Sequence, residues 1–162
     1  MEVISDNNLL TTAKRVAIFG LSGNPPTYTR GHAGVVQHFV NSGLFDELWI
    51  LPVYIHAFQT KRSLETYEHR MAMCELNFEG EMSETCRVLV KAYERDVYNN
   101  IYNDTKEACS SPGSTATPSR VGTIDVIRWV KQRMPTDTTI GLILGTDTYQ
   151  DLMTGKWKSA EE

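Results

Sequence analysis

RVAIFG at residues 15–20 runs directly into LSGNPPTYTRGH at residues 21–32, and the architecture follows from this junction. The first part is an apolar run that ends in glycine, which is typical of a buried strand. The second part is a loop rich in Gly, Pro, Ser and Asn. From Gly31 to Ser42, apolar residues recur at helical spacing. We therefore predict a strand, a glycine-rich turn and a helix in succession.

The same alternation continues along the chain. Three further strands are predicted, at Glu47–Val53, Cys86–Ala92 and Thr139–Leu144. Further helices are predicted at Leu64–Phe78 and Thr123–Met134, with another that begins near Asp147. Strands that alternate with helices favour βαβ units and a parallel sheet. The predicted fold class is α/β, a Rossmann-like parallel sheet with helices on both faces.

Two regions depart from this pattern. Residues 1–14 are polar and are predicted to be a flexible lead, so that one domain covers residues 15–162. Around residues 94–118 we expect a loop insertion, because Asn99, Asn100 and Asn103 precede a run of small and polar residues.

Composition narrows the classes of function. The chain is 41% hydrophobic, as expected of a globular protein, and its net charge of −4 argues against a nucleic-acid partner. Its three cysteines form no metal-binding or disulfide pattern. We see no signal peptide and no apolar run of the roughly 20 residues that cross a bilayer, so the default expectation is a cytoplasmic protein without a membrane partner.

The turn after the first strand has the features of an anion site. A glycine-rich turn lets backbone N–H groups face an anion, and a helix N-terminus adds about half a positive charge. His32, at the predicted helix start, can donate a hydrogen bond to a phosphate oxygen. The alternative is an ordinary strand-to-helix turn with an exposed histidine.

Four motifs in one order resemble a known family. Gly20-x-Ser22-x-Asn24-Pro25-Pro26-Thr27 with Gly31-His32 is similar to the signature of the nucleotidyltransferase superfamily, which includes nicotinate mononucleotide adenylyltransferases. The resemblance covers residues 15–158. The other matching segments are Leu51–Val53 with Lys61 and Glu68–Met73, Ser119–Asp125, and Leu144–Asp147 with Lys156-Trp157.

The resemblance implies a role for particular residues. His32 is the implied catalytic residue, with either Thr27 or Thr29 as the threonine of the motif; we favour Thr27. The implied ATP-binding residues are Gly20, Ser22, Gly31, His32, Gly145 and Asp147. The implied mononucleotide-binding residues are Lys61, Thr123, Trp157 and Arg120. No residue is predicted to bind a metal.

Several of these residues have simpler interpretations. Thr123 and Asp147 both suit the N-cap of a helix. Trp157 can serve packing alone, and Arg120 can be a solvated cation. Arg70 lies in the middle of a predicted helix, where a surface salt bridge with Glu68 is the ordinary expectation.

The resemblance also implies a reaction. It is adenylyl transfer from ATP to nicotinate or nicotinamide mononucleotide, which forms deamido-NAD or NAD and pyrophosphate in NAD biosynthesis. Mg²⁺ would accompany ATP. Arg120 inclines us slightly to the nicotinate form. The expected partners are these small molecules, and a homo-oligomer is compatible with the sequence.

Two alternatives to this reaction stay open. One is another small-substrate adenylyl- or cytidylyltransferase, such as pantetheine-phosphate adenylyltransferase. The other is a non-catalytic nucleotide-binding module. The family continues into a further strand and an arginine-containing motif, so we expect the C-terminal part of the family fold to be missing here.

Overall fold

The computed structural model describes residues 10–55, 64–108, 121–157 and 159–161. The strands are β1 (Arg15–Leu21), β2 (Glu47–Pro52), β3 (Arg87–Val90) and β4 (Thr139–Leu142). The helices are α1 (His32–Asn41), α2 (Tyr67–Phe78), α3 (Tyr93–Ala108), α4 (Thr123–Lys131) and α5 (Thr146–Met153).

The four strands form one parallel sheet in the order β3-β2-β1-β4. From β1 the chain moves outward to β2 and β3, then returns to place β4 on the other side of β1. The direction of travel therefore reverses between β1 and β4. In open α/β sheets, ligands bind at such a reversal, outside the carboxyl ends of the strands. The predicted α/β parallel sheet is confirmed.

Each face of the sheet carries its own hydrophobic core, because successive strand residues point to opposite faces. On one face, α1 and α2 cover Ala17 and Phe19 of β1, and Val36 and Phe78 are among the buried helix residues. On the other face, α3 and α4 cover the remaining strand residues. Buried residues of that second core include Val16, Ile18, Trp49, Tyr93, Val97, Val126 and Val130. The predicted helices on both faces are confirmed.

Ion pairs hold the amino ends of the strands. Asp46, just before β2, accepts the backbone N–H groups of Lys14 and Arg15 at 3.1 and 2.8 Å and pairs with the Arg15 guanidinium at 2.6 Å. Glu47 is buried, with 3% of its surface exposed; it accepts the Trp49 indole N–H at 2.8 Å and pairs with Arg87. Ion pairs and hydrogen bonds to carboxylates therefore stabilise the amino end of the sheet.

The prediction of a loop insertion around residues 94–118 is wrong for residues 94–108, the part of that range that the structure describes. Tyr93–Ala108 is a helix of 16 residues, α3, and residues 109–120 lie outside the described residues. Tyr93 and Val97, one helical turn apart, are buried in the second core. Asn99, Asn100 and Asn103 favour turns, but the helical spacing of the buried residues Tyr93 and Val97 favours the helix.

The described end of the predicted flexible lead is attached to the domain. The Leu10 N–H donates to the Arg133 carbonyl at 3.0 Å, and Leu10 and Ala13 pack against the second core. Element boundaries shift by a few residues; α2, for example, begins at Tyr67 because the Thr66 side chain caps it by accepting the His69 N–H. Among the described residues, no helix is long and apolar enough to cross a membrane.

Candidate functional site at the carboxyl end of the sheet

The loop between β1 and α1 brings Thr27 and His32 together. The Thr27 backbone N–H donates to Nδ1 of His32 at 3.0 Å, and the Thr27 hydroxyl lies 2.9 Å from the same nitrogen. In return, the His32 backbone N–H donates to Oγ1 of Thr27 at 3.0 Å. The ring of His32 also lies beside Phe19, with centroids 6.0 Å apart. These contacts fix the imidazole at the start of α1.

The contacts also set the protonation of His32. Because Nδ1 accepts the Thr27 N–H, the ring proton of the neutral imidazole resides on Nε2. Burial lowers the pKa of His32 below its usual value, which favours this neutral form near pH 7. His32 therefore offers an Nε2–H donor beside the N-terminus of a helix, whose dipole attracts negative charge.

The backbone donors of this turn are largely used within it. The Gly31 N–H donates to the Tyr28 carbonyl at 2.7 Å, and the Ala33 N–H donates to the Thr27 carbonyl at 3.0 Å. A Cβ on Gly31 would lie 2.0 Å from Oγ1 of Thr27, so glycine is required for the threonine to reach His32. Thr29 instead lines a shallow polar groove with His38 on the outer side of α1.

The Arg70 side chain binds the loops at the carboxyl end of the sheet. Its side chain is buried, 3% exposed, and the predicted surface salt bridge is therefore wrong. Nη1 donates to the carbonyls of Ser22 and Val53 at 2.8 and 2.7 Å, and Nε donates to the Glu65 carbonyl at 3.1 Å. One guanidinium thus joins the loop after β1, the end of β2 and the approach to α2.

A cavity of about 180 Å³ opens at the reversal point between β1 and β4. Gly20, Thr123 and Trp157, three residues that the motifs single out, line it together. Most of the remaining wall is apolar, from residues such as Ile18, Leu51, Val126 and Leu142. Glu94 and Thr148 also line it, and the sequence motifs did not indicate either. This cavity is partly open to solvent.

Two of the simpler interpretations are wrong. Gly122, not Thr123, is the N-cap of α4, and its N–H donates to Oδ2 of Asp125 at 2.9 Å. Gly145, not Asp147, is the N-cap of α5, and Asp147 lies exposed in the first turn of that helix. Neither Thr123 nor Asp147 is therefore the N-cap that the sequence suggested.

The remaining predicted residues divide as follows. Ser22 contributes its carbonyl to Arg70, and neither Asp147 nor His32 is among the residues that line the cavity. Lys61 and Arg120 lie outside the described residues. Within the described part of the chain, no three His, Cys, Asp or Glu side chains group closely enough to hold a metal ion.

The sheet order and the packing of helices on both faces define a Rossmann-like α/β fold. Two solved structures of Plasmodium falciparum nicotinic acid mononucleotide adenylyltransferase, one complexed with APC and one with NaAD, are similar to this chain. Each has a TM-score of 0.61, with sequence identities of 20% and 19% respectively. Likeness at this level of identity concerns the fold.

Each match covers a larger share of this chain than of the Plasmodium falciparum enzyme. The matches cover 91% of this chain but 58% of the length of the Plasmodium falciparum enzyme. No protein-family model and no curated protein sequence matches the chain. The likeness therefore lies in the three-dimensional fold.

Proposed function

We propose that this chain is a nucleotidyltransferase that transfers the adenylyl group of ATP to a pyridine mononucleotide. The observation that carries the proposal is the cavity at the carboxyl end of the sheet. It joins Gly20, Thr123 and Trp157, which come from three separate motifs of the sequence, around a space large enough for one aromatic ring. An apolar cavity of about 150 Å³ can hold benzene.

The proposed reaction is a phosphoryl-group displacement. An oxygen of the mononucleotide 5′-phosphate attacks the α-phosphorus of ATP and forms a new P–O bond. The bond from that phosphorus to the bridging oxygen of the β-phosphate breaks, and pyrophosphate leaves with the bonding electrons. Such chemistry depends on positioning and on stabilisation of developing charge, and it needs no covalent nucleophile from the protein.

His32 is the proposed charge stabiliser. Its Nε2–H donates to a phosphate oxygen, while Thr27 holds Nδ1 so that this donor keeps its direction. Trp157 and Thr123 hold the pyridine ring in the cavity, and Gly20 leaves room above β1. Mg²⁺ enters as part of the magnesium complex of ATP, and we assign no protein ligand to it.

The proposal is tested by incubating the protein with ATP, Mg²⁺ and each pyridine mononucleotide, and quantifying pyrophosphate and dinucleotide. We expect the two products in equal amounts. ATP binding without turnover would favour a non-catalytic nucleotide-binding module. Pyrophosphate release with phosphopantetheine, and not with a mononucleotide, would identify a different transferase of the same fold.

A further inference from the structure

The Arg70 guanidinium donates hydrogen bonds only to backbone carbonyls, and one of them lies at the start of the glycine-rich loop between β1 and α1. Nη1 donates to Ser22 and to Val53 at 2.8 and 2.7 Å. Nη2 donates to Tyr54 at 3.4 Å, and Nε donates to Glu65 at 3.1 Å. Because the side chain is buried, loss of these donors would leave carbonyls unsatisfied away from water, which is costly.

The next two residues of the glycine-rich loop also contact α2 or the residues just before it. A Cβ on Gly23 would lie 2.7 Å from Sγ of Cys74, so the loop backbone packs directly against the helix. Oδ1 of Asn24 accepts the Glu65 backbone N–H at 3.1 Å. Together with the neighbouring Ser22, three consecutive residues of the loop are therefore held against the same element.

The chain between this contact and the candidate site is short and stiff. Pro25 and Pro26 follow Asn24, and a proline ring fixes φ at about −65°. Thr27 comes next, and its backbone N–H donates to Nδ1 of His32 at 3.0 Å. A displacement of residues 22–24 is therefore passed on to Thr27 and to the imidazole that it holds.

We propose that Arg70 is a positioning residue, which orients His32 by holding the glycine-rich loop against α2. The inference rests on the proposed function, in which Nε2–H of His32 donates to a phosphate oxygen. Arg70 does not line the cavity, so its effect on the reaction passes through the loop. Loss of the guanidinium frees the loop, and a donor that is no longer held in direction stabilises the developing charge less.

The test without substrate is amide hydrogen exchange at Thr27 and His32, followed by NMR. Both N–H groups are hydrogen-bonded within the loop, so their exchange reports its local opening. We expect both amides to exchange at least about tenfold faster in Arg70→Met than in wild type.

Val130→Ala is the matched control for lost stability. Val130 is fully buried in α4, on the other face of the sheet, so its truncation destabilises the fold without touching the loop. It should leave exchange at Thr27 and His32 unchanged. Equal acceleration of these two amides in Val130→Ala and Arg70→Met would mean that Arg70 serves stability alone, and would overturn the inference.

Steady-state kinetics supply the second measurement, at a temperature where unfolding curves show each variant to be folded. Arg70→Met should lower kcat by about tenfold and change KM for ATP by less than about threefold, because the loss falls on the transition state. Arg70→Lys should recover part of kcat and part of the exchange protection. If Arg70→Met does not fold, Arg70→Lys decides, since wild-type exchange at Thr27 in that variant contradicts the inference.

The two measurements separate this inference from the proposed function. Dinucleotide formation by wild type, with loop exchange that Arg70→Met leaves unchanged, overturns the positioning role and leaves the proposed function standing. A wild type that forms no dinucleotide overturns the proposed function, and the exchange rates then still decide whether Arg70 holds the loop.

Discussion

The two ends of the parallel sheet are held by different interactions. At the amino end, charged side chains meet one another: Arg15 pairs with Asp46, Lys14 with Asp137 and Arg87 with Glu47. At the carboxyl end, the guanidinium of Arg70 meets backbone carbonyls of three different segments instead. The ion pairs at the amino end connect strands that are already paired in the sheet. Arg70 at the carboxyl end fixes loops.

This difference matches the tasks that the two ends perform. In the proposed function, loops at the carboxyl end surround a ligand, and Arg70 holds three of these segments through their backbone carbonyls. Backbone carbonyls bind the guanidinium without adding a full negative charge. The amino end has no such restriction, so its charges are free to pair. We therefore expect substitutions at the carboxyl end to affect loop order and activity as well as stability, and substitutions at the amino end to affect stability alone.

Arg70→Met should cause the largest loss of stability. It removes a buried side chain and leaves the carbonyls of Ser22 and Val53 without these donors, which we expect to cost about 3 kcal/mol. Urea unfolding measures the loss. Arg70→Lys should recover part of it, since an ammonium keeps the charge but cannot reach all the carbonyls at once.

Arg15→Met, at the opposite end of the sheet, is the control for Arg70. Its guanidinium is partly exposed and bonds Asp46 and the Gly43 carbonyl. Exposed pairs contribute little, so the loss at Arg15 should be clearly smaller. Equal losses at the two arginines would contradict the distinction between the two ends.

His32→Ala should lower kcat by about 100-fold or more, the usual effect of removing one donor to a transition-state oxyanion. The unfolding midpoint should change little, since the imidazole is only partly buried at a loop. Steady-state pyrophosphate release measures the rate. His38→Ala removes an exposed histidine from the same helix and should have no effect. A His32→Ala protein with normal turnover would remove His32 from the mechanism.

Thr27→Val should lower kcat by about tenfold, which is about 1.4 kcal/mol. The valine keeps the size of the side chain but loses the hydroxyl that contacts Nδ1 and accepts the His32 N–H. Thr29→Val should change kcat by less than about twofold, because Thr29 lies in the groove on the outer side of α1. Thr27→Ser should restore most of the rate. A larger loss at Thr29 would reverse the assignment.

The sheet and both cores could be predicted from the sequence, because apolar runs at strand spacing and helical spacing are local signals. The start of α3 carries conflicting signals, because Tyr93 and Val97 have helical spacing whereas the nearby asparagines favour turns. Burial of Arg70 could be anticipated from its place between Tyr67, Cys74 and Phe78 on one face of α2. Its partners could not, because the Ser22 and Val53 carbonyls are 48 and 17 residues away along the chain.

The candidate site shows the same division between local and distant information. Thr27 and His32 are five residues apart, and their motif predicted them together. Glu94 matches no motif, and its place on the cavity wall depends on how α3 packs against β2 and α4. A residue that lines a cavity from a separate helix is identified from the folded structure, because no spacing along the sequence indicates it.

Asp46→Asn should have the smallest effect, and its dependence on pH is the informative part. The hydrogen bond from the Arg15 side chain holds the pKa of Asp46 below its usual value of about 3.8. A carboxyl whose folded pKa is depressed stabilises the fold above its unfolded pKa, and this contribution is lost as pH falls through the folded pKa. The Tm of wild type should therefore exceed that of Asp46→Asn at pH 7, and the gap should close below about pH 4. Added salt should also narrow the gap, because the pair is partly exposed. Glu79→Gln removes one exposed carboxylate elsewhere and should show no such gap. A gap that persists unchanged at low pH would mean that Asp46 stabilises the amino end through interactions that asparagine does not make and that do not depend on its charge.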